Sequence, residues 1–384
     1  DMHNSKSIMF IGSNPAEAHP VAMQHILLAK ERNGCKILVV DPRRTRTAAK
    51  ADMYLSLRPG TDVAFIWGML WHIFKNGWED KEFIRTRVYG MDEVQKEVAR
   101  WTPAEVERVT GLNEQQVHGA AKLLADNRPG CVVWCMGGTQ HTTGNNNTRA
   151  YCILELALGN VGKSGAGTNI FRGHDNVQGA TDFGVTSDSL PGYYGLEEGS
   201  WKHWARVWDV DYEWIKARFD NKAYNGKLPM NNNGIPVSRW VDGVLENADL
   251  IEQGSNIRAM FYWGHAVNSQ TRGPEMKKAM QKLDMMVIVD PYPTVASVMN
   301  DRTDGVYLLP ATTQFETYGS VTATNRSMQW RDKVIEPLFE SKVDHEIMYL
   351  LSKKLGFADQ LFKHIKAENN QPLVEDITRE YNRG

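Results

Sequence analysis

Apolar runs and helical patterns alternate from the start of the chain. Ser7–Ile11 is a short apolar run that precedes Gly12, and Lys36–Val40 is a second run, rich in β-branched residues. Between them, residues 20–32 have apolar positions at helical spacing and precede Asn33-Gly34, a pair that often ends a helix. This order of strand, helix and strand predicts parallel strands that bind ligands at their carboxyl ends.

The same patterns continue along the chain. We predict helices over residues 63–74, 103 onward (after a capping box at 102–105), 113–124, 149–158 and 274–283. We predict strands over residues 131–136, 257–262, 285–289 and 306–309. The tail is expected to be helical from residue 343 to about residue 366, and then polar and loose.

These patterns predict an α/β fold with two Rossmann-like lobes and mainly parallel sheets. Residues 1–175 form the first lobe, of dinucleotide-binding type, and residues 176–384 form the second. The second lobe contains an aromatic-rich helical insertion, whose residues we interpret as packing and not as ligand stacking. These residues are Trp201, Trp204, Trp208, Tyr212 and Trp214.

Composition adds few constraints to this picture. With 384 residues, 42% of them apolar, the chain is long enough for two globular domains. The formal net charge is -2, with acids and bases interspersed, which gives no reason to expect a nucleic-acid partner. There is no run of about 18 apolar residues, so we expect no direct insertion into a membrane.

Cysteine and histidine show no metal-binding pattern. The cysteines are Cys35, Cys131, Cys135 and Cys152, without a CxxC pair, so the chain cannot hold a four-cysteine iron–sulfur cluster by itself. Cys131 and Cys135 lie in an apolar run and are interpreted as buried thiols, with a metal-binding or disulfide pair as the alternative. Since no histidines have ligand spacing either, we predict no metal-ligating residue.

Polar turns follow the predicted strands, where a ligand would bind. Gly12, Asn14 and Glu17 lie in a turn whose amides suit a phosphate, although a plain strand-to-helix turn is the alternative. After the second strand, Asp41 could accept hydrogen bonds from ribose or a purine amine, and Arg43 could pair with phosphate. A solvated turn is the alternative for both.

A third polar turn, with Gly60, places Asp62 at the start of a helix. Its carboxylate could cap that helix, or it could accept the N1–H and N2–H of guanine, which adenine cannot offer. Residues 159–195 then form a long, polar, glycine-rich stretch. Such a stretch suits backbone that must approach a ligand closely.

Taken together, these segments resemble the bis-molybdopterin guanine dinucleotide oxidoreductases. The resemblance is carried by GSNPAEAHP, VVDPRRTRTA, ADMYLSLRPGTD and LALGNVGKSGAGTNIFRGHDNVQGATDFG, in that order, and it runs from Ile8 to Leu355. Within the last segment, RGHDNVQGATD is similar to the formate dehydrogenases.

The resemblance implies a bis-molybdopterin guanine dinucleotide cofactor that carries molybdenum or tungsten. One dinucleotide would contact Gly12, Asn14, Glu17, Asp41, Arg43, Gly60 and Asp62. The pterin near the metal would contact Met136, Gly137 and Gln140. In the second lobe, the other dinucleotide would contact Gly264, Asn268 and Asp290.

Arg172 and His174 are the residues that the resemblance assigns to catalysis. A guanidinium can hold formate by two parallel hydrogen bonds and direct its C–H bond toward the metal. A structural ion pair is the alternative for Arg172. His174 stands where some family members carry glutamine, and with Gln140 it would polarise the surroundings of the metal.

The resemblance also implies parts that these 384 residues do not contain. Family members have an N-terminal domain with a 4Fe–4S cluster, a cysteine or selenocysteine that reaches the metal, and a C-terminal β-barrel-like domain. We therefore expect a central fragment, inactive alone, that begins almost inside a strand and has no signal peptide. A selenocysteine codon read as a stop would explain that start, and an in-frame TGA would then lie upstream.

The expected function is oxidation of formate to carbon dioxide, with electrons passed to the iron–sulfur cluster and on to an iron–sulfur or cytochrome subunit. One alternative is a sibling enzyme of nitrate reductase type, which should lack the RGHDNVQG run. The other is a structural subunit that has lost its cofactor, which should also have lost Asp62 and Arg172. A periplasmic location is favoured over a cytoplasmic one, because RGHDNVQG resembles membrane-linked members.

Overall fold

The computed structural model describes residues 1–323 and 327–384, which form two compact units, 1–174 and 175–384. In the first unit the strands are β1 (Ser7–Ile11), β2 (Lys36–Val40), β3 (Met53–Leu55), β4 (Gly130–Trp134) and β5 (Gly167–Ile170). Its helices are α1 (Pro15–Ala18), α2 (Pro20–Asn33), α3 (Asp62–Asn76), α4 (Lys81–Arg87), α5 (Met91–Val98), α6 (Pro103–Thr110), α7 (Glu114–Asp126), α8 (Met136–Thr139) and α9 (Gly144–Ala157).

The five strands form one parallel sheet in the order β3-β2-β1-β4-β5. The chain builds outward from β1 through β2 and β3, and then returns to the other side of β1 for β4 and β5. At the carboxyl end of β1, Ile11 lies opposite Val40 on one side and Trp134 on the other. Sheets of this kind bind ligands where the strand order reverses, which is here between β1 and β4.

Both faces of this sheet are buried, and successive residues of a strand lie on opposite faces. Met9 and Ile11 pack into one cluster with α3, α7 and α9, whereas Ile8 and Phe10 pack into another with α2. A sheet covered on both faces by helices is the α/β architecture that the sequence predicted. The fold class is therefore confirmed.

The second unit has a smaller parallel sheet and several short antiparallel pairs. Its strands are β6 (Ala259–Trp263), β7 (Met285–Asp290), β8 (Val306–Pro310), β9 (Gly319–Thr322), β10 (Met328–Arg331), β11 (Ala367–Glu368) and β12 (Gln371–Pro372). Its helices are α10 (Val177–Asp182), α11 (Glu198–Val207), α12 (Tyr212–Lys216), α13 (Trp240–Leu245), α14 (Gly273–Lys282), α15 (Val295–Val298), α16 (Asp344–Leu355), α17 (Ala358–Leu361) and α18 (Val374–Tyr381). The parallel sheet has the order β6-β7-β8, and β9 pairs with β10 and β11 with β12 in antiparallel fashion.

Side chains of α13 and α14 cover one face of the β6-β7-β8 sheet. A smaller cluster, which includes Ile347 of α16, lies on Val287 and Val289 of the other face. The aromatic-rich insertion packs on itself: Trp201, Trp208, Tyr212 and Trp214 surround a small core of Ala205, Ile215 and Met230. The interpretation of these aromatic residues as packing groups is therefore confirmed.

Several predicted boundaries were wrong. The strand predicted over residues 131–136 ends at Trp134, so Cys135 is only half-buried in the following turn, whereas Cys131 is a buried thiol as expected. The tail helix ends at Leu355 because Gly356 adopts a left-handed conformation, and ordered elements follow where a loose tail was expected. The helix predicted from residue 149 begins at Gly144.

Glu155 is a buried carboxyl group in the last turn of α9. Its side chain is 1% exposed, and burial raises its pKa well above the ordinary value of 4.5. The folded chain therefore keeps a proton that the unfolded chain releases as pH rises above that value. It follows that Glu155 lowers the free energy of unfolding as pH rises, until the pH passes the folded-state pKa.

We expect E155Q to remove this pH-dependent fall in the free energy of unfolding, because the glutamine side chain does not titrate. Between about pH 5 and about pH 8, the free energy of unfolding of E155Q relative to the wild type should rise. Urea unfolding of both proteins at the two pH values measures this. E107Q, at an exposed position of α6, is the control and should follow the wild type; parallel pH curves for the wild type and E155Q would contradict the prediction.

Candidate functional site

Every predicted site residue of the first unit follows the carboxyl end of a strand of the five-stranded sheet. They are Gly12, Asn14 and Glu17 after β1, Asp41 and Arg43 after β2, Gly60 and Asp62 after β3, Met136, Gly137 and Gln140 after β4, and Arg172 and His174 after β5. Because the strands are parallel, their carboxyl ends meet at one edge of the sheet. The structure thus brings these residues to the same edge.

The turns after β1 and β4 touch through their backbones. A Cβ atom at Gly12 would lie 2.4 Å from the backbone nitrogen of Gly138, and one at Gly137 would lie 2.6 Å from the carbonyl oxygen of Gly12. Gly12 also has a φ of +58°, a left-handed conformation that favours glycine. The two turns therefore form a glycine cradle, defined by Gly12, Gly137 and Gly138, at the point where the strand order reverses.

Thr47 shapes the turn after β1. Its hydroxyl donates to Oδ1 of Asn14 at 2.8 Å and accepts the backbone N–H of Ala16 at 3.1 Å. The side-chain oxygen of Asn14 therefore has a structural partner within the protein. A contact of Asn14 with a ligand would use its amide nitrogen.

The turns after β1 and β2 also meet in an exposed group of charges. Oxygen atoms of Glu17 lie 3.6 Å from a guanidinium nitrogen of Arg43 and 3.9 Å from one of Arg46. Ion pairs this exposed contribute little to stability. The side chains of Arg43 and Arg46 are exposed and could pair with an anionic ligand.

Asp62 is the first residue of α3 and is buried, with 5% of its surface exposed. Thr61 and not Asp62 occupies the N-cap position, and no side-chain capping hydrogen bond is present among residues 1–323 and 327–384, so the capping interpretation of Asp62 was wrong. Instead, the Tyr151 hydroxyl donates to Oδ1 of Asp62 at 2.9 Å. Gly60, just before this helix, borders open space.

Asp41 lies close enough to Asp62 for their charges to interact. Burial raises the pKa of Asp41, the amide and guanidinium of Arg43 lower it, and the nearby charge of Asp62 raises it again. Oδ1 of Asp41 accepts the backbone N–H of Arg43 at 2.8 Å. Two neighbouring carboxylates at this edge offer acceptors to a ligand that is rich in N–H and O–H groups.

Asn147 of α9 and His141, which precedes α9, contact the backbone of the turn after β4. Nδ2 of Asn147 donates to the carbonyl oxygen of Gly138 at 2.9 Å, and Nε2 of His141 lies 2.8 Å from the carbonyl oxygen of Gly137. The side chains of Met136 and Gln140 are exposed. The turn therefore has a fixed backbone and presents its side chains outward.

Arg172 and His174 follow the edge strand β5. Nε2 of His19, from the turn between α1 and α2, lies 2.6 Å from the carbonyl oxygen of Arg172, and its ring packs against Phe171. The backbone of Arg172 is thereby tied to the turn after β1. The side chain of His174 is exposed.

In the second unit, the predicted residues also lie at the carboxyl ends of strands. Gly264 follows β6 with a φ of +61°, and its N–H donates to the carbonyl oxygen of Val289 at 2.8 Å. Asp290 ends β7, and its Oδ1 accepts the N–H of Tyr292 at 3.3 Å. Asn268 is exposed in a single 3-10 turn.

Four residues that hold the site together were not predicted: Thr47, His19, Asn147 and Tyr151. Each acts on a residue at least nine positions away, so local sequence patterns contain no signal for it. Among residues 1–323 and 327–384, no group of three or more histidine, cysteine or acidic side chains is placed to hold a metal ion. No helix within the same residues is long and apolar enough to cross a membrane.

A parallel sheet with polar turns at its switch point is typical of proteins that bind a nucleotide-containing cofactor. Residues 1–354 match the family model of the molybdopterin oxidoreductases, and the chain belongs to that family. Acetylene hydratase from Pelobacter acetylenicus has a similar fold, with a TM-score of 0.69 and 20% sequence identity over 100% of this chain and 52% of that one.

Curated relatives are also similar over most of this chain. The F420-dependent formate dehydrogenase subunit alpha of Methanocaldococcus jannaschii is 32% identical, over 99% of this chain and 52% of the relative. Formate dehydrogenase H of Escherichia coli is 30% identical, over 93% of this chain and 46% of the relative. The chain thus spans about half the length of these relatives.

Membership of the family implies a molybdopterin cofactor with molybdenum or tungsten. The residues of the first unit fit such a group. The glycine cradle has no side-chain volume at the switch point, exposed arginines suit its phosphates, and the carboxylates of Asp41 and Asp62 suit its N–H and O–H groups.

The cradle leads to a stability prediction. G12A should lower the free energy of unfolding by about 1–2 kcal/mol for the left-handed conformation and by roughly a further 1–3 kcal/mol for the clash with Gly138. G34A is the matched control, because Gly34 has a φ of +65° but nothing within 4 Å of its added Cβ. Urea unfolding compares the two variants, and equal losses would show that the close approach of the turns contributes nothing.

Proposed function

We propose that this chain is the cofactor-binding part of a formate dehydrogenase, and that its cofactor is the guanine dinucleotide form of molybdopterin. The observation that carries the proposal is the position of Arg172. The RGHDNVQG run begins at the carboxyl end of β5, on the sheet edge where the glycine cradle lies. Relatives named formate dehydrogenases, at 30% and 32% identity, support it.

The role of Arg172 follows from the charge and shape of formate. A guanidinium can hold a carboxylate by two parallel hydrogen bonds, which fixes the direction of the C–H bond. His19 fixes the backbone from which this side chain extends. The bound cofactor would accept the two electrons released as formate becomes carbon dioxide and a proton, and the exposed side chains of His174 and Gln140 would adjust the polarity around it.

Asp62 is the residue that we assign to guanine. Its carboxylate can accept two hydrogen bonds side by side, and guanine offers N1–H and N2–H in that arrangement. Adenine has an acceptor at N1, so the same carboxylate would repel it. In the second unit, we assign Gly264, Asn268 and Asp290 to a second dinucleotide.

The electrons leave through a 4Fe–4S cluster in this proposal. The described residues have no four-cysteine group to hold it. Relatives about twice as long as this chain, one of them named a subunit alpha, are consistent with further domains and an electron-transfer partner subunit.

The cofactor is the first part of the proposal to test. Acid treatment of the purified chain should release GMP and a pterin, and metal analysis of the same sample should find molybdenum or tungsten. D62A should release less GMP, because it removes both acceptors. Neither GMP nor metal in the wild type would mean that these residues do not retain the cofactor, and AMP or CMP in place of GMP would refute the guanine assignment.

The role of Arg172 is tested in the holoenzyme that contains this chain. R172K keeps the charge but loses the planar pair of donors, so kcat/KM for formate should fall by roughly a hundredfold. Steady-state kinetics with formate measures the loss, and the metal content of the variant should be unchanged. R108K is the control, because Arg108 pairs with Glu105 on α6, outside the site; equal activities of R172K and wild type would remove Arg172 from the reaction.

A further inference from the structure

We propose that Tyr151 is a positioning residue, which fixes the Asp62 carboxylate so that both of its oxygens face a guanine base. The inference rests on the proposed function, in which Asp62 binds guanine. It adds a residue of α9, which is 89 positions away in sequence. Tyr151 itself would not contact the base.

The packing of Tyr151 leaves its hydroxyl little freedom. The side chain is 0% exposed, and its ring packs against Trp134, with 5.4 Å between the ring centres. A Cβ at Gly138 would lie 2.9 Å from the hydroxyl oxygen, so the glycine cradle also borders it. The hydroxyl is thus held where it donates to Oδ1 of Asp62 at 2.9 Å.

The Tyr151 hydroxyl also remains a hydrogen-bond donor at neutral pH. Burial and the charge of Asp62 both raise the pKa of Tyr151, so the phenol keeps its proton. A carboxylate oxygen accepts more than one hydrogen bond, so Oδ1 can accept from Tyr151 and from a base together. Oδ2 takes no hydrogen bond from residues 1–323 and 327–384, and in this proposal it accepts the second N–H of the base.

Loss of the hydroxyl should therefore affect one hydrogen bond more than the other. Without Tyr151 to fix it, the carboxylate can rotate and still accept the N1–H that guanine and hypoxanthine share. It would lose alignment with the N2–H that only guanine has. The selectivity for guanine over hypoxanthine should fall, whereas general damage to the fold would weaken the binding of both bases equally.

The experiment uses calorimetric titration of the full chain, prepared without bound cofactor, with GDP and with IDP. The wild type should bind GDP about tenfold more tightly than IDP, since the analogue leaves one acceptor of a charged group without its partner. Y151F should bind the two nucleotides within about twofold of each other, mainly through weaker binding of GDP. Y262F is the matched control, because the buried Tyr262 hydroxyl has no hydrogen-bond partner among the described residues, and it should keep the wild-type selectivity.

A further variant separates the failure of this inference from the failure of the proposed function. D62N replaces one acceptor by a donor and should abolish the selectivity for GDP at one of the two dinucleotide sites assigned above. A selectivity that D62N leaves unchanged at every site, or that is absent from the wild type, would overturn the guanine assignment and this inference with it. Selectivity that is lost in D62N but retained in Y151F would overturn only the role of Tyr151.

Discussion

The close approach of the turns after β1 and β4 is the contact on which the candidate site depends. Gly12 meets Gly137 and Gly138 backbone to backbone, at distances that leave no room for a side chain on either turn. This contact joins the two halves of the five-stranded sheet at the point where its strand order reverses. The positions of Asn14 and of Met136 follow from it, because each lies within two residues of a glycine of the cradle.

Residues outside the turns then hold this contact in place. Thr47 fixes the turn after β1, Asn147 fixes the turn after β4, and His19 ties β5 to the turn after β1. The hydrogen bonds of Thr47 and His19 join elements that are distant in sequence, and that of Asn147 joins α9 to a residue nine positions before it. The edge of the sheet therefore acts as one preorganised surface, as binding of a large rigid cofactor requires.

The strands at the centre of the sheet could be predicted from the sequence, because their burial leaves a plain signal. β1 and β2 each contain four consecutive buried apolar residues, 8–11 and 37–40, and both strands were predicted over the residues that they occupy. The edge strands β3 and β5 could not be predicted in the same way. They are three and four residues long, and β5 lies inside the glycine-rich stretch without an apolar run of its own.

Some residues of the candidate site could likewise be predicted from the sequence, and others could not. Asp62 could be selected from the polar turn at a strand end, because such turns have a recognisable composition, whereas Arg172 was assigned through the resemblance of its segment to the formate dehydrogenases. Tyr151, the partner of Asp62, could not be selected from a local motif, because it is one of several residues on the apolar face of α9. Only the packing of α9 against α3 brings its hydroxyl to the carboxylate. The start of α9 was missed for a related reason: its first turn is polar, and the role of Asn147 there is to support Gly138.

Two buried carboxyl groups show why the site lies at this edge of the sheet. Asp62 is the first residue of the 15-residue helix α3, where the helix dipole stabilises a negative charge and Tyr151 adds a hydrogen bond. Glu155 lies in the last turn of α9, where the dipole opposes a negative charge, and burial raises its pKa. The amino ends of helices follow the carboxyl ends of parallel strands in this fold. The acceptor side chain of Asp62 therefore lies at the same edge as the glycine cradle, where a ligand that is rich in donors can use it.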